Sequence, residues 1–127
     1  MTEKQIIKLM KFPLTDHGNA ERLRFIFGNR WKYLPRYRLW LHWNGHRWEG
    51  RRTVNLIWTA GDMFHELILA ICRLPFPEDF FEQRLRLHVI EWLTRSQAIC
   101  HCERTVKYFR EMVREENENK SININAS

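Results

Sequence analysis

Cysteine is scarce and odd in number: Cys72, Cys100 and Cys102 are the only three in 127 residues. They lack the spacing of a disulfide framework, so reduced thiols are expected. No run approaches the ~18 apolar residues of a membrane-spanning helix, and residues 1–11 lack the continuous apolar stretch of a secretory signal. The expected setting is the cytoplasm with no membrane partner, where the glycosylation patterns at Asn119 and Asn125 carry no meaning.

Catalytic signatures are missing too. His65-Glu66 opens an H-E-x-x-H zinc motif, but position 69 is Leu, so the second ligand is absent. On a helix, Cys100-His101-Cys102 would fan out at about 100° per residue and could not close on one metal. No G-x-x-x-x-G-K-[ST] or G-x-G-x-x-G loop is present to cradle phosphates. The only aspartates, Asp16, Asp62 and Asp79, form no D-x-D pair for two divalent ions. Thr94 and Ser96 lie near His88 and His101 in sequence, without the strand-to-helix turn of a nucleophile. The expectation is a chain that is no enzyme, with no catalytic residues, no metal and no cofactor.

Aromatic and basic residues are plentiful. Hydrophobic residues make up 44% and aromatics 13%, with six Trp and eight Phe, enough for a packed core and against wholesale disorder. The length fits one compact domain, with or without a tail. The net charge of +6 is uneven: residues 1–57 hold 12 Lys/Arg against 4 Asp/Glu, residues 58–127 hold 9 against 11. The first half is the candidate surface for a polyanion.

Hydrophobic periodicity predicts a mainly α chain. Thr15-Asp16 precede a helix over about 17–28, with Ala20, Leu23, Ile26 and Phe27 on one face and Gly28-Asn29 as its stop. Leu56, Ile57, Ala60, Phe64, Leu67, Ile68 and Ile71 mark a second from Val54 to about Leu74. Pro75-Phe76-Pro77 ends it, and Glu78-Asp79 favour a third running to about Arg95, with Phe81, Leu85, Val89, Trp92 and Leu93 inward. Ser96 is placed to cap a fourth, striped by Ile99, Cys102, Val106, Phe109, Met112 and Val113. The expected architecture is a small bundle of about four helices with an aromatic β-hairpin, about 32–49, inserted after the first. That domain spans 1–118, and 119–127 is expected to be an extended tail.

Asn44-Gly45 is a strong two-residue hairpin signal. It would pair Trp43 with His46, His42 with Arg47, Leu41 with Trp48 and Trp40 with Glu49, and opposed residues share a face. Leu39, Leu41, Trp43, His46 and Trp48 then belong to the core face, while Arg38, Trp40, His42, Arg47 and Glu49 see water. Lys32, Arg36, Arg38, Trp40, His42, Arg47, Arg51 and Arg52 would form a strip for single-stranded nucleic acid, in which arginines neutralise phosphates and the indole stacks a base. The rival reading packs Trp40 under a helix and leaves the arginines as ordinary surface.

Leu14-Thr15-Asp16-His17-Gly18-Asn19-Ala20-Glu21-Arg22, Tyr33-Leu34-Pro35, and Trp40-Leu41-His42-Trp43-Asn44-Gly45-His46-Arg47-Trp48-Glu49 resemble the phage/plasmid-type primase-helicase family. The resemblance is to the domain preceding the poxvirus-type superfamily III helicase. It covers about a third of the chain, and from Val54 onward only a pattern of helices agrees. It implies a non-catalytic domain of a mobile-element DNA replication protein that binds or positions single-stranded template DNA. The partners implied are that DNA and the primase and helicase domains of a parent protein, with the tail leading to the helicase. Arg22 and Arg47 are the motif residues best suited to contact DNA; Asp16, Asn19 and Glu21 are expected to cap the first helix and tie it to the hairpin. The family's phosphate loop and paired carboxylates are absent. The alternative is an adaptor linking primase and hexameric helicase without touching DNA; an enzyme holding a nucleotide on the basic strip is a third reading.

Overall fold

A computed structural model of the chain describes the backbone of residues 1–126 and the side-chain surroundings of residues 1–114. Among these, the fold is mainly α: five helices and a small antiparallel sheet rich in aromatics. The helices are α1 (Glu3–Met10), α2 (Asp16–Phe27), α3 (Thr53–Arg73), α4 (Phe80–Ser96) and α5 (Ile99–Ala126). The strands are β1 (Trp31–Leu34), β2 (Leu39–Trp43) and β3 (Trp48–Arg51), in the order β1-β2-β3.

Helix α1 was not expected from the apolar pattern, because only Ile6 and Leu9 are buried. It starts in a capping box: Thr2 accepts from the Gln5 amide, and Gln5 accepts in return from the Thr2 amide. The other helices follow their signals closely. Thr15 caps α2 by accepting from the Gly18 amide, and Asp79 caps α4 by accepting from the Phe81 amide. Ser96, expected to cap the last helix, instead ends α4, buried, with its hydroxyl donating to the Trp92 carbonyl. The stretch expected as an extended tail, 119–127, is helical as far as Ala126, in line with the absence of proline and glycine after Pro77; Ser127 lies outside the described residues.

The helices close on one core. By length and composition α3 is apolar enough to cross a membrane, yet its stripe of Leu56, Ala60, Phe64, Leu67 and Ile71 is buried in this core. Val89 and Leu93 of α4, Cys102, Val106, Phe109 and Val113 of α5, and Leu23 and Phe27 of α2 complete it. The first half of α4 departs from expectation. Phe81 and Leu85, expected inward, are exposed, and Phe81 is 80% accessible. The Pro75–Pro77 connection carries this end of the helix past the core, so no neighbour covers it among the described residues.

The hairpin is a three-stranded sheet. Trp31 pairs with His42 and Tyr33 with Trp40 across β1 and β2; Trp40 pairs with Arg51 and Trp43 with Trp48 across β2 and β3. The turn is four residues, not two, because the Asn44 side chain accepts from the amides of His46 and Arg47, while Gly45 supplies the left-handed φ of 100°. Moving the register by two keeps the division of residues between the faces. The choice of buried face is reversed. With β1 present, the inward face gathers three large aromatics, Trp31, Tyr33 and Trp40, which meet Phe27 and Phe109. Trp40 lies flat on Phe109, with centroids 5.6 Å apart and planes at 13°, and is 0% exposed. Burying one such ring is worth roughly 5 kcal/mol, which decides the face.

Candidate nucleic-acid interface

The outward face carries what the sequence had assigned to the core. Lys32 and Leu34 of β1, Leu39, Leu41 and Trp43 of β2, and Trp48 of β3 share it, and the apolar members are half-buried. Trp43 and Trp48 stand opposite each other with centroids 5.5 Å apart, tilted by 57°. The Lys32 ammonium sits 4.4 Å above the Trp48 ring, which holds a cation beside the aromatic pair. Leu39 lies over Gly50, where an added Cβ would come within 3.6 Å of it. The result is a ribbon of leucine and indole partly open to solvent.

Cations frame this ribbon at both ends. A single 3-10 turn, Pro35–Tyr37, joins β1 to β2 and sets Arg36 and Arg38 at one end, where Arg52 also follows β3. Arg47 stands in the turn at the other end, 3.9 Å from a Glu49 oxygen and largely exposed. Lys32, Arg36, Arg38 and Arg52 have no carboxylate partner among the described residues. Arg38 adopts φ 49°, a left-handed conformation that costs a side-chain-bearing residue roughly 1–2 kcal/mol relative to glycine.

Three residues of the expected strip, and Arg22 of the motif, lie elsewhere. Trp40 is in the core, so it stacks no base. Arg22 is also fully buried: it donates from Nε to the Leu9 carbonyl (2.9 Å) and from its terminal nitrogens to the carbonyls of Phe12 (2.5 Å) and Pro13 (2.9 Å) and to Asn19 Oδ1 (3.0 Å). Burial pulls its pKa down to about 10, opposed by Glu21, so it stays cationic at neutral pH. It closes the end of α1 and touches no solvent. His42 and Arg51 lie on the inward side of the sheet's rim. Arg51 pairs with Glu49, whose carboxyl is held below the usual range by Arg51 first and Asn44 second. His42, tilted by 36° against Trp31 with centroids 4.4 Å apart, is held below its ordinary pKa by burial, then by Arg51 and Arg30, with Glu49 opposing.

The Thr15-to-Arg22 motif builds the scaffold. Asp16 accepts from His101 (2.7 Å) and pairs with Arg104 (3.3 Å) on α5. Asn19 donates to Ser96 Oγ (2.9 Å) and accepts from the Trp92 indole (3.0 Å) on α4. Gly18 is fixed by packing, since a Cβ there would overlap the Pro13 carbonyl oxygen. Glu21 pairs with His17 on its own helix. The motif therefore ties α2 to α4, α5 and the end of α1; the tie to the hairpin that its order suggested is not made. Cys102 is buried with its thiol on the Ser96 carbonyl, while Cys100 is exposed. No group of three metal-ligating side chains occurs among the described residues.

One aromatic was missed by sequence reading. Trp58 lies one helical turn after Val54 and reads as part of an apolar run, but it points away from the core and is 62% exposed. Compared with known proteins, the chain matches no family model, no curated protein and no solved structure.

Proposed function

We propose that the chain binds single-stranded nucleic acid, with little sequence preference, on the open face of its sheet, as a non-catalytic cytoplasmic module of a mobile-element replication protein of the primase-helicase type. The observation that carries this reading is the Trp43–Trp48 pair with Lys32 beside it, on a face flanked at one end by Arg36, Arg38 and Arg52, which have no carboxylate partner among the described residues. Stacking is tolerant of base identity because every base has a π-face, and cations along the strip neutralise phosphates. Five strand residues cover about 16 Å, room for a few extended nucleotides. The left-handed Arg38 fits the same reading, since a costly backbone there sets its side chain at the end of the ribbon.

The test is fluorescence anisotropy with a labelled oligothymidylate at 50 and 200 mM salt. Four phosphate contacts predict an affinity loss of about fifty-fold between the two. Absence of binding at the lower salt contradicts the proposal. A second reading has its own observation: Phe76, Phe80, Phe81, Leu85 and Leu87, at and before the start of α4, are each exposed, and exposed apolar side chains of this kind suit a protein adaptor. If replacing Phe80 and Phe81 with Ser abolishes assembly with a primase or helicase domain while DNA binding is absent from the intact chain, the adaptor reading holds instead.

A further inference from the structure

A second basic site lies on the inward side of the sheet's rim, away from the open ribbon. The C-terminal end of α2, the rim of the sheet and the first half of α3 line a half-open cavity of about 590 Å³. Arg30, His42 and Arg51 enter it from the sheet side, and Asn55, Trp58 and Asp62 from α3. This size is in the range of small-molecule sites. Trp58 and Asp62 also wall a neighbouring cavity of about 340 Å³, so both stand on a ridge reached from two sides.

The groups are sorted by chemistry. Arg30 is braced against the end of α2, donating to the carbonyls of Phe27 and Ile26 at 3.1 Å each, and has no carboxylate partner among the described residues. With Arg51 and His42 it makes a cluster of donors with more positive charge than Glu49 offsets. Asp62 lies seven residues beyond Asn55, about 10 Å along α3, and its carboxylate pairs with no described cation. The exposed indole of Trp58 lies between them along the helix.

We propose that this cavity binds a purine nucleoside monophosphate: the phosphate against Arg30, Arg51 and His42, the base on Trp58, and the base's N–H edge donating to Asp62. Three cationic or cationisable donors suit a phosphate. A carboxylate accepts from adjacent N–H groups, so a base offering an imino and an amino hydrogen side by side fits best, as guanine does. His42 is held below its usual pKa by burial first and by Arg51 and Arg30 second; a bound phosphate would offset the second cause and favour the ring as a third donor. The proposal does not depend on the open ribbon binding DNA.

Calorimetric titration of the intact chain with GMP, AMP, UMP, guanosine and inorganic phosphate tests it, with Arg30→Gln, Trp58→Ala, Asp62→Asn and Trp48→Ala variants checked for folding by circular dichroism. GMP should bind at least about ten-fold tighter than UMP, and Asp62→Asn should remove most of that preference. Arg30→Gln should weaken GMP while leaving guanosine unchanged, Trp58→Ala should weaken both, and Trp48→Ala should change neither. The proposal is overturned if no nucleotide binds, if inorganic phosphate binds as tightly as GMP, or if GMP binding is lost in Trp48→Ala and kept in Trp58→Ala.

Discussion

Replacing Arg22 with Met should cost about 3–5 kcal/mol of stability, seen as a shift of the urea midpoint, although the substitution removes a residue whose motif suggested a DNA contact. The guanidinium is 0% exposed and serves three backbone carbonyls in the connection after α1, plus Asn19 Oδ1. Hydrogen bonds to a charged donor are worth about 1.5–3 kcal/mol each, and removing the donor leaves carbonyls in a buried site without partners. Met fills similar volume, so cavity formation adds little, and the loss is limited by the ability of α1 to peel away and let water reach its end. Arg22→Lys should recover only part of the stability, because an ammonium lacks the planar fork that reaches Leu9, Phe12 and Pro13 together. If the Met variant is as stable as the parent, the buried guanidinium is not what holds α1 in place.

Trp40→Ala and Trp48→Ala should behave in opposite ways. Trp40 stacks on Phe109 and meets Trp31 and Tyr33 edge-on, so truncation should cost about 3–5 kcal/mol. Trp40→Phe should cost less, partly because the buried Trp40 indole N–H has no hydrogen-bond partner to lose. Trp48 shares the outer face with Trp43 and Lys32; its removal forfeits a cross-strand pair worth about 0.2–1 kcal/mol. Nucleic-acid affinity should fall instead, by the roughly 1–3 kcal/mol of one stacked base. Thermal unfolding and anisotropy on the same two proteins separate the roles. A Trp48→Ala protein that binds normally, or a Trp40→Ala protein that folds normally, contradicts the assignment of the two faces.

Four of the five helices were legible because their signals are local. Thr15, Asp79, Gly28 and the Pro75-Phe76-Pro77 break mark ends through torsions and caps that need no knowledge of the rest of the chain. Face selection in the sheet was not legible from the hairpin alone, because counting apolar residues favoured the side with Leu39, Leu41 and Trp43. The deciding partners, Trp31 and Tyr33 in β1 and Phe109 in α5, are brought together only by the tertiary fold. Arg22 was misread for a related reason. A charged residue on α2 reads as surface until α1 is placed over it, and α1 buries too few side chains for its periodicity to stand out. Of the basic strip, Lys32, Arg36, Arg38, Arg47 and Arg52 frame the open ribbon, while His42 and Arg51 belong to the cavity beside Trp58. Trp58 itself was hidden in the apolar run of α3.

The central claim is that an open ribbon of Trp43, Trp48 and Lys32 meets unpaired nucleic acid. Titrating an oligothymidylate into isotopically labelled protein at low salt, and following the six indole N–H resonances, tests it most directly. The account predicts that the Trp43 and Trp48 signals move together and saturably while Trp40 stays in place. Indoles that all remain still, or a response confined to Trp58 and Trp92, would contradict it.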